Sequence, residues 1–231
     1  MKSTLILSLF SFVCISLMGQ NLEQAYMDLE RHLNTSGEYL KRADDRNKVI
    51  GSPYLTEDFQ PGMVHWNRMW NEGIDLKYDI YNDCFEVKLE SGIIVLDPLK
   101  NNIDTIKYNG EAFVRKFLDQ GKGKSLAYMA LLGQENVYSV YKQYKIILAE
   151  ASSSDGYSNA KPAEFKSNSP VYYIFKDNEN WEVKGSKTIA EIFEIETKMV
   201  KDYLKEKNYK LSNEKDLVEV ILYFSKPLNQ S

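Results

Sequence analysis

Hydrophobic spacing divides the chain into stretches with different periods. After an apolar stretch at the amino terminus, Leu22, Ala25, Tyr26, Leu29 and Leu33 recur at the three- and four-residue intervals of one helical face. Asn21, with Gln24 three residues on, fits a capping box for that helix. The pattern ends at Asn34-Thr35-Ser36-Gly37, and alternating charges from Lys41 to Lys48 then read as a solvated connector.

From Gly51 the period falls to two. Gly51-Ser52-Pro53 and Pro61-Gly62 bracket Tyr54 to Phe59 as two chain reversals. If Met63 to Trp70 is a strand, Val64, Trp66, Arg68 and Trp70 share one face and His65 points to the other. Leu76, Tyr78 and Ile80 share a face, as do Phe85, Val87 and Leu89, with Asn82-Asp83 as the turn between them. Ile93 to Leu96 is a compact β-branched run that Asp97-Pro98 ends. Asn109-Gly110 is the clearest turn, because a type I′ hairpin needs positive φ at both central residues and this pair tolerates it best.

Two further β candidates, Ser125 to Leu132 and Val137 to Leu148, flank Gly133-Gln134-Glu135-Asn136; the second also suits a helix. A polar loop at Ser152 to Gly156 precedes a β pair, Ala163 to Lys166 with Val171 to Lys176. Asp177 to Asn180 then turns into Trp181-Glu182-Val183.

Helical spacing returns afterwards. Thr188 with Glu191 makes a capping box ahead of Ile189, Ile192 and Phe193, and Ile195, Met199, Tyr203 and Leu204 continue the spacing. Ser212 is the expected cap of a last helix whose buried stripe is Leu217, Val220, Ile221 and Phe224. The expected class is α+β: an N-terminal helix, a mostly antiparallel sheet or partly open barrel or sandwich, and C-terminal helices. In ranges, that is a helix and connector over 20–50, a β-rich domain over 51–185, and a helical segment over 186–231 packed on it.

The first nineteen residues stand apart from this plan. Lys2 is the only charge in the first twenty-two, and an apolar stretch from Leu5 to Leu17, broken only by serines, leads to Gly19. A positive start, a short apolar core and a small residue before polar sequence is the layout of a cleaved secretory signal over 1–19. The run falls short of the about 20 apolar residues that a spanning helix needs. A mature chain starting near Gln20 is therefore expected in the periplasm, at the cell surface or outside the cell. The sequence before Cys14 lacks the small residue of a lipid-attachment site.

Charge and cysteine use narrow the partners. Loss of Lys2 leaves 33 acidic side chains facing 28 basic ones, spread evenly, which disfavours nucleic acid. Cys84 becomes a lone thiol, and its neighbours Asp83 and Glu86 oppose a thiolate, so a structural role is expected.

Gly51-Ser52-Pro53-Tyr54-Leu55 with Phe59 and Gly62, the strand Leu76 to Tyr81 leading into Asn82-Asp83, and the tail from Met199 to Tyr203 through Asn208 to Glu214-Lys215-Asp216-Leu217 together resemble uncharacterised exported proteins of the Bacteroidota. The resemblance implies a bacterial envelope setting and no activity.

Few residues carry specific chemistry. His65, Trp66 and Trp70 form the candidate ligand-binding cluster, since indoles on a sheet stack on sugars or hold peptides, although large aromatics more often belong to a core. Glu57, Asp58, Asp79, Asp83, Glu86 and Asp97 are carboxylates that a hydrolase would pair. On the expected strands Asp79 shares a face with Lys77 and Tyr81, and Glu86 with Lys88, as on a solvated surface with cross-strand pairs. His32 and His65 lie on different elements, too few and too far apart for a zinc site. Gly121 to Ser125 lacks the earlier glycine of a phosphate loop and reads as a turn. No catalytic residue, metal or cofactor is assigned. The expected function is non-enzymatic binding of a protein, peptide or glycan in the envelope; the alternatives are a secreted hydrolase with paired carboxylates, or a structural component.

Overall fold

The computed structural model describes residues 27–33, 38–39, 49–96, 103–119, 123–152, 160–177 and 179–226. The export segment, the cap at Asn21, the charged connector, Asp97-Pro98 and the start of the Gly121 run lie outside them. The chain forms two compact units. One comprises Met1–Asp44, Tyr54–Asp79 and Cys84–Asn109; the other comprises Asp45–Pro53, Ile80–Asp83 and Gly110–Ser231. The secondary structure is α+β, as expected, and among the described residues no helix is long and apolar enough to cross a membrane.

The first unit holds a helix α1 over 27–33 and strands β1 (Glu38–Tyr39), β2 (Gln60–Trp66), β3 (Met69–Asp79), β4 (Cys84–Leu89), β5 (Gly92–Leu96) and β6 (Ile103–Tyr108). They pair antiparallel in the order β1-β5-β4-β3-β2-β6 and do not close on themselves. The period-two face expected on β3 and β4 is the core: Leu76 sits opposite Val87 and Tyr78 opposite Phe85, all essentially inaccessible. Tyr78 also stacks on Phe85, their ring centroids 4.7 Å apart. Leu29 and Leu33, one turn apart on α1, are buried as their spacing demands.

Three expectations for this unit are corrected. Met63 to Trp70 is not one strand but the tip of the β2–β3 hairpin, turning at Asn67 and Arg68, with φ of 51° and 64°. Val64, Trp66 and Trp70 lie at even spacing on both sides of the tip, with only Arg68 between, so spacing alone conceals the reversal. Pro61-Gly62 is no reversal either; it lies inside β2, where the register shifts between Gly62 and Met63. A Cβ on Gly62 would stand 2.6 Å from both the Lys107 carbonyl and Leu76 Cδ1, so this glycine admits close strand approach.

The third correction concerns charge. The mixed-sign face of β3 and β4 is solvated only at its Asp75–Lys88 end; Lys77, Asp79 and Glu86 are buried. The segment from Tyr54 to Phe59 lies across them. Tyr54 donates its hydroxyl to Glu86 Oε1 at 2.9 Å, Lys77 Nζ sits 3.9 Å from the centre of the Tyr54 ring, and Lys77 also donates to the Glu57 carbonyl. Strand periodicity reports which side chains share a face, and it is silent about what later covers that face.

The second unit carries β7 (Glu111–Asp119), β8 (Lys124–Glu135), β9 (Tyr138–Ala149), β10 (Glu164–Lys176) and β11 (Glu179–Glu182), antiparallel in that order. Helices α2 (Ser186–Ile192), α3 (Thr197–Lys207) and α4 (Glu214–Phe224) follow. Asn109 and Gly110, with φ of 51° and 79°, lead into β7 as the turn chemistry required. The candidate after Gly133 is a strand, and the turn falls later, at Asn136, whose φ is 51°. The predicted pair around Ala163 and Val171 is one long strand, β10, bent where its register shifts between Asn168 and Val171.

One face of this sheet meets the helices. Val140 and Ile174 pack there with Ile189, Ala190, Val200, Leu217, Val220 and Ile221. The alternate residues Tyr141, Tyr173 and Phe175 cluster on the opposite face with Leu118, Ala127 and Met129. Burial of each Val, Ile or Leu side chain among them stabilises by about 1.5–3 kcal/mol. The helix starts depart from expectation. Thr188 lies inside α2, whose N-cap is Gly185, and the side chain of Asn213, not Ser212, caps α4 by accepting from Asp216 N–H at 3.2 Å. The continuous helical spacing after Phe193 is interrupted at Glu194, whose φ of 54° separates α2 from α3.

Candidate functional site

The hairpin at Asn67-Arg68 reassigns the predicted aromatic cluster. In register, His65 faces Trp70 and Trp66 faces Met69. Opposed residues in an antiparallel pair share a face, so His65 joins Trp70, and Trp66 points to the other side. The two indoles therefore do not make one platform.

On the His65 face, the imidazole and the Trp70 indole have centroids 5.0 Å apart, His65 Nδ1 lies 3.2 Å from Asp104 Oδ2, and Lys107 Nζ sits 4.4 Å above the Trp70 ring. Trp70 is thus already engaged by a cation from β6 and a ring from β2. These contacts account for the cluster on that face as mutual packing at the hairpin end of β2 and β3.

Trp66 is placed differently. It stacks on His32 of α1 with centroids 4.9 Å apart, and the pair lines a cleft of about 390 Å³ together with Asp28, Arg31, Asn67 and Met69. Arg31 and Asp28 form an exposed pair at 3.2 Å, while Met69 keeps 46% of its surface at the hairpin tip. The cleft thus has an aromatic wall, an exposed thioether and a rim of opposite charges. Sequence reading singled out Trp66 but missed Asp28, Arg31 and Met69, because what brings them to the indole is the packing of α1 against the tip.

Of the remaining carboxylates, Asp79 and Glu86 share one buried face of β3 and β4, and Asp83 lies elsewhere. Glu86 is held by Tyr54; Asp83, with a φ of 51°, accepts from the Tyr128 backbone N–H at 3.1 Å; Asp97 lies outside the described residues. Among the described residues, no group of three or more His, Cys, Asp or Glu is placed to hold a metal ion.

No family model, curated protein or solved structure matches the chain.

A polar network in the second unit also escaped the sequence. Lys142 on β9, nearly inaccessible, pairs with Glu111 on β7 and lies 3.0 Å from Glu214 Oε2 on α4. Tyr144 donates to Glu111 Oε2 at 2.7 Å. Tyr172 reaches Glu214 at 3.5 Å. Burial works against the Lys142 ammonium, yet hydrogen bonds to Glu111, Tyr144 and Glu214 outweigh it and raise its pKa. The Tyr144 hydroxyl is pushed up to about 12, by burial first and then by its bond to Glu111. The network ties β7, β9 and α4 together, and each charge in it has an opposite neighbour.

Proposed function

We propose that the protein is a non-enzymatic, exported component of the cell envelope that binds a protein or peptide partner through the Trp66 cleft. The observation that supports this reading is the composition of the cleft and its tip: Trp66, Met69 and Arg31 at one place. Trp, Met and Arg are the types enriched at protein interfaces, and an exposed methionine adapts to irregular partner surfaces. A bacterial envelope of the Bacteroidota type is the setting we infer, from the export layout of residues 1–19 and the resemblance of the motifs around Gly51 and Leu76.

Two measurements test this. Expressed in a Bacteroidota host, the chain is expected to leave the cytoplasm with an intact mass beginning near Gln20; a full-length cytoplasmic product would reject export. A photo-crosslinking residue at position 69 is expected to capture one discrete partner in cells, and one at Glu72, exposed beyond the hairpin tip, to capture none. Trp66→Ala should reduce the position-69 adduct at least fivefold, in keeping with about 1 kcal/mol or more for a lost aromatic contact. Trp70→Ala, on the opposite face, should leave it unchanged. Equal loss from both tryptophan variants would refute the cleft as the binding surface.

A further inference from the structure

We propose that the second unit carries a separate site, at the outer edge of β11, for a short neutral glycan. Among the described residues β11 ends the strand order and pairs only with β10, yet it comes up beside β7 with no strand pairing to it. A cleft of about 570 Å³ opens there, lined by Asp119 from the end of β7, by Asn180, Trp181 and Glu182 of β11, and by Lys184 and Thr188 beyond it. That volume lies in the range of small-molecule sites, about 300–1,000 Å³.

The lining matches the two-sided chemistry of a sugar. A pyranose offers an apolar C–H face and hydroxyls that each donate and accept. Trp181 supplies a half-exposed indole for the first. For the second, Thr188 brings a hydroxyl on the same side as the indole. Asn180 and Glu182, opposite Phe175 and Tyr173, carry their amide and carboxylate on the other face of β11. A ligand that meets both faces lies edge-on across the strand toward the Asp119 carboxylate. The backbone adds to this. Val183 N–H donates to the Tyr172 carbonyl at 2.8 Å, and Trp181 stands opposite Ile174 in the same alternation. Trp181 therefore turns its backbone toward β10, and the N–H and C=O groups of Asn180 and Glu182 point outward along the edge.

Charge and strand length narrow the ligand. Two carboxylates face one ammonium, and Lys184 Nζ lies 3.8 Å from Glu182, so nothing there recommends a phosphate or polyanion. A strand of four residues with glutamates at both ends is poorly suited to pairing with an incoming peptide strand, the usual protection of a sheet edge. The site is built only from residues of the second unit and is independent of the Trp66 cleft.

The test is calorimetric titration of the mature chain with maltose, cellobiose, mannobiose and chitobiose, with an extended lysine-containing octapeptide as comparison. At least one disaccharide is expected to bind. Trp181→Ala should weaken that binding at least tenfold and Asn180→Ala at least threefold, while Trp66→Ala leaves it unchanged. Asn180→Ala removes only an amide on an edge strand, so it carries the test if Trp181→Ala fails to fold. Absence of binding by every disaccharide, unaltered affinity in Asn180→Ala, or binding of the peptide alone would overturn the proposal.

Discussion

Glu111→Ala is expected to lower the free energy of unfolding by about 3 kcal/mol, the scale for removing one partner of a buried ion pair. Lys142 has only 8% of its side chain exposed, so loss of Glu111 leaves a desolvated ammonium with Glu214 as its remaining carboxylate. Urea unfolding measures the effect. A loss below about 0.5 kcal/mol would place the pair in the solvent-screened surface class and refute the reading. Replacing both members with apolar side chains, Glu111→Leu with Lys142→Met, should cost less than Glu111→Ala, because no uncompensated charge is left buried.

The same network predicts a pH dependence. Tyr144 titrates at about 12 in the folded chain against 10.0 ordinarily, and Lys142 is raised as well. A group with a raised folded pKa retains its proton longer when folded. Its stabilisation is therefore complete below the unfolded pKa and is lost as pH climbs through the folded one. The melting temperature should fall between about pH 10 and 12, and fall less steeply in Glu111→Gln, which weakens the bonds that hold both protons. A parallel decline in the two proteins would count against the assignment.

Gly133→Val is the second large expected effect, about 3 kcal/mol, at the upper end of the cost of overpacking a close contact. A Cβ at this position would stand 2.9 Å from Val218 Cγ1 and 3.3 Å from Leu222 Cδ1, so the bare backbone of β8 is what lets α4 lie down on the sheet. Gly133 also sits at a register shift of β8 against β9. The cost should shrink by at least 1 kcal/mol in the Val218→Ala background, a coupling expected only of residues in contact. Additive losses would show that the destabilisation arises from the strand and not from the helix above it.

Gly133 illustrates what spacing does and does not reveal. A glycine next to Gln134, Glu135 and Asn136 has the composition of a loop, yet the strand runs on to Glu135 and turns at Asn136. The glycine is there for a helix more than eighty residues later. Similarly, the even spacing of Val64, Trp66 and Trp70 is real, but a two-residue turn preserves that spacing while reversing the chain, so it puts the indoles on opposite faces. The Asn109-Gly110 turn needed no such context, because only local dihedral preference was at stake. Of the Trp66 cleft, the indole was legible as a candidate; its neighbours Asp28, Arg31 and Met69 were not.

The sequence by itself determined the α+β class, the paired core faces of β3 and β4, the Asn109-Gly110 turn and the apolar stripe of α4. All follow from periodicity and backbone preference, which act over a few residues. Only the tertiary structure decided which polar groups are buried, which aromatics meet and where clefts open. Lys77 and Glu86 lie beneath Tyr54, Lys142 beside Glu214, and His32 against Trp66, each across a separation that no local pattern spans. Burial of a given face is a property of whatever packs on it, and that partner is set by the whole chain.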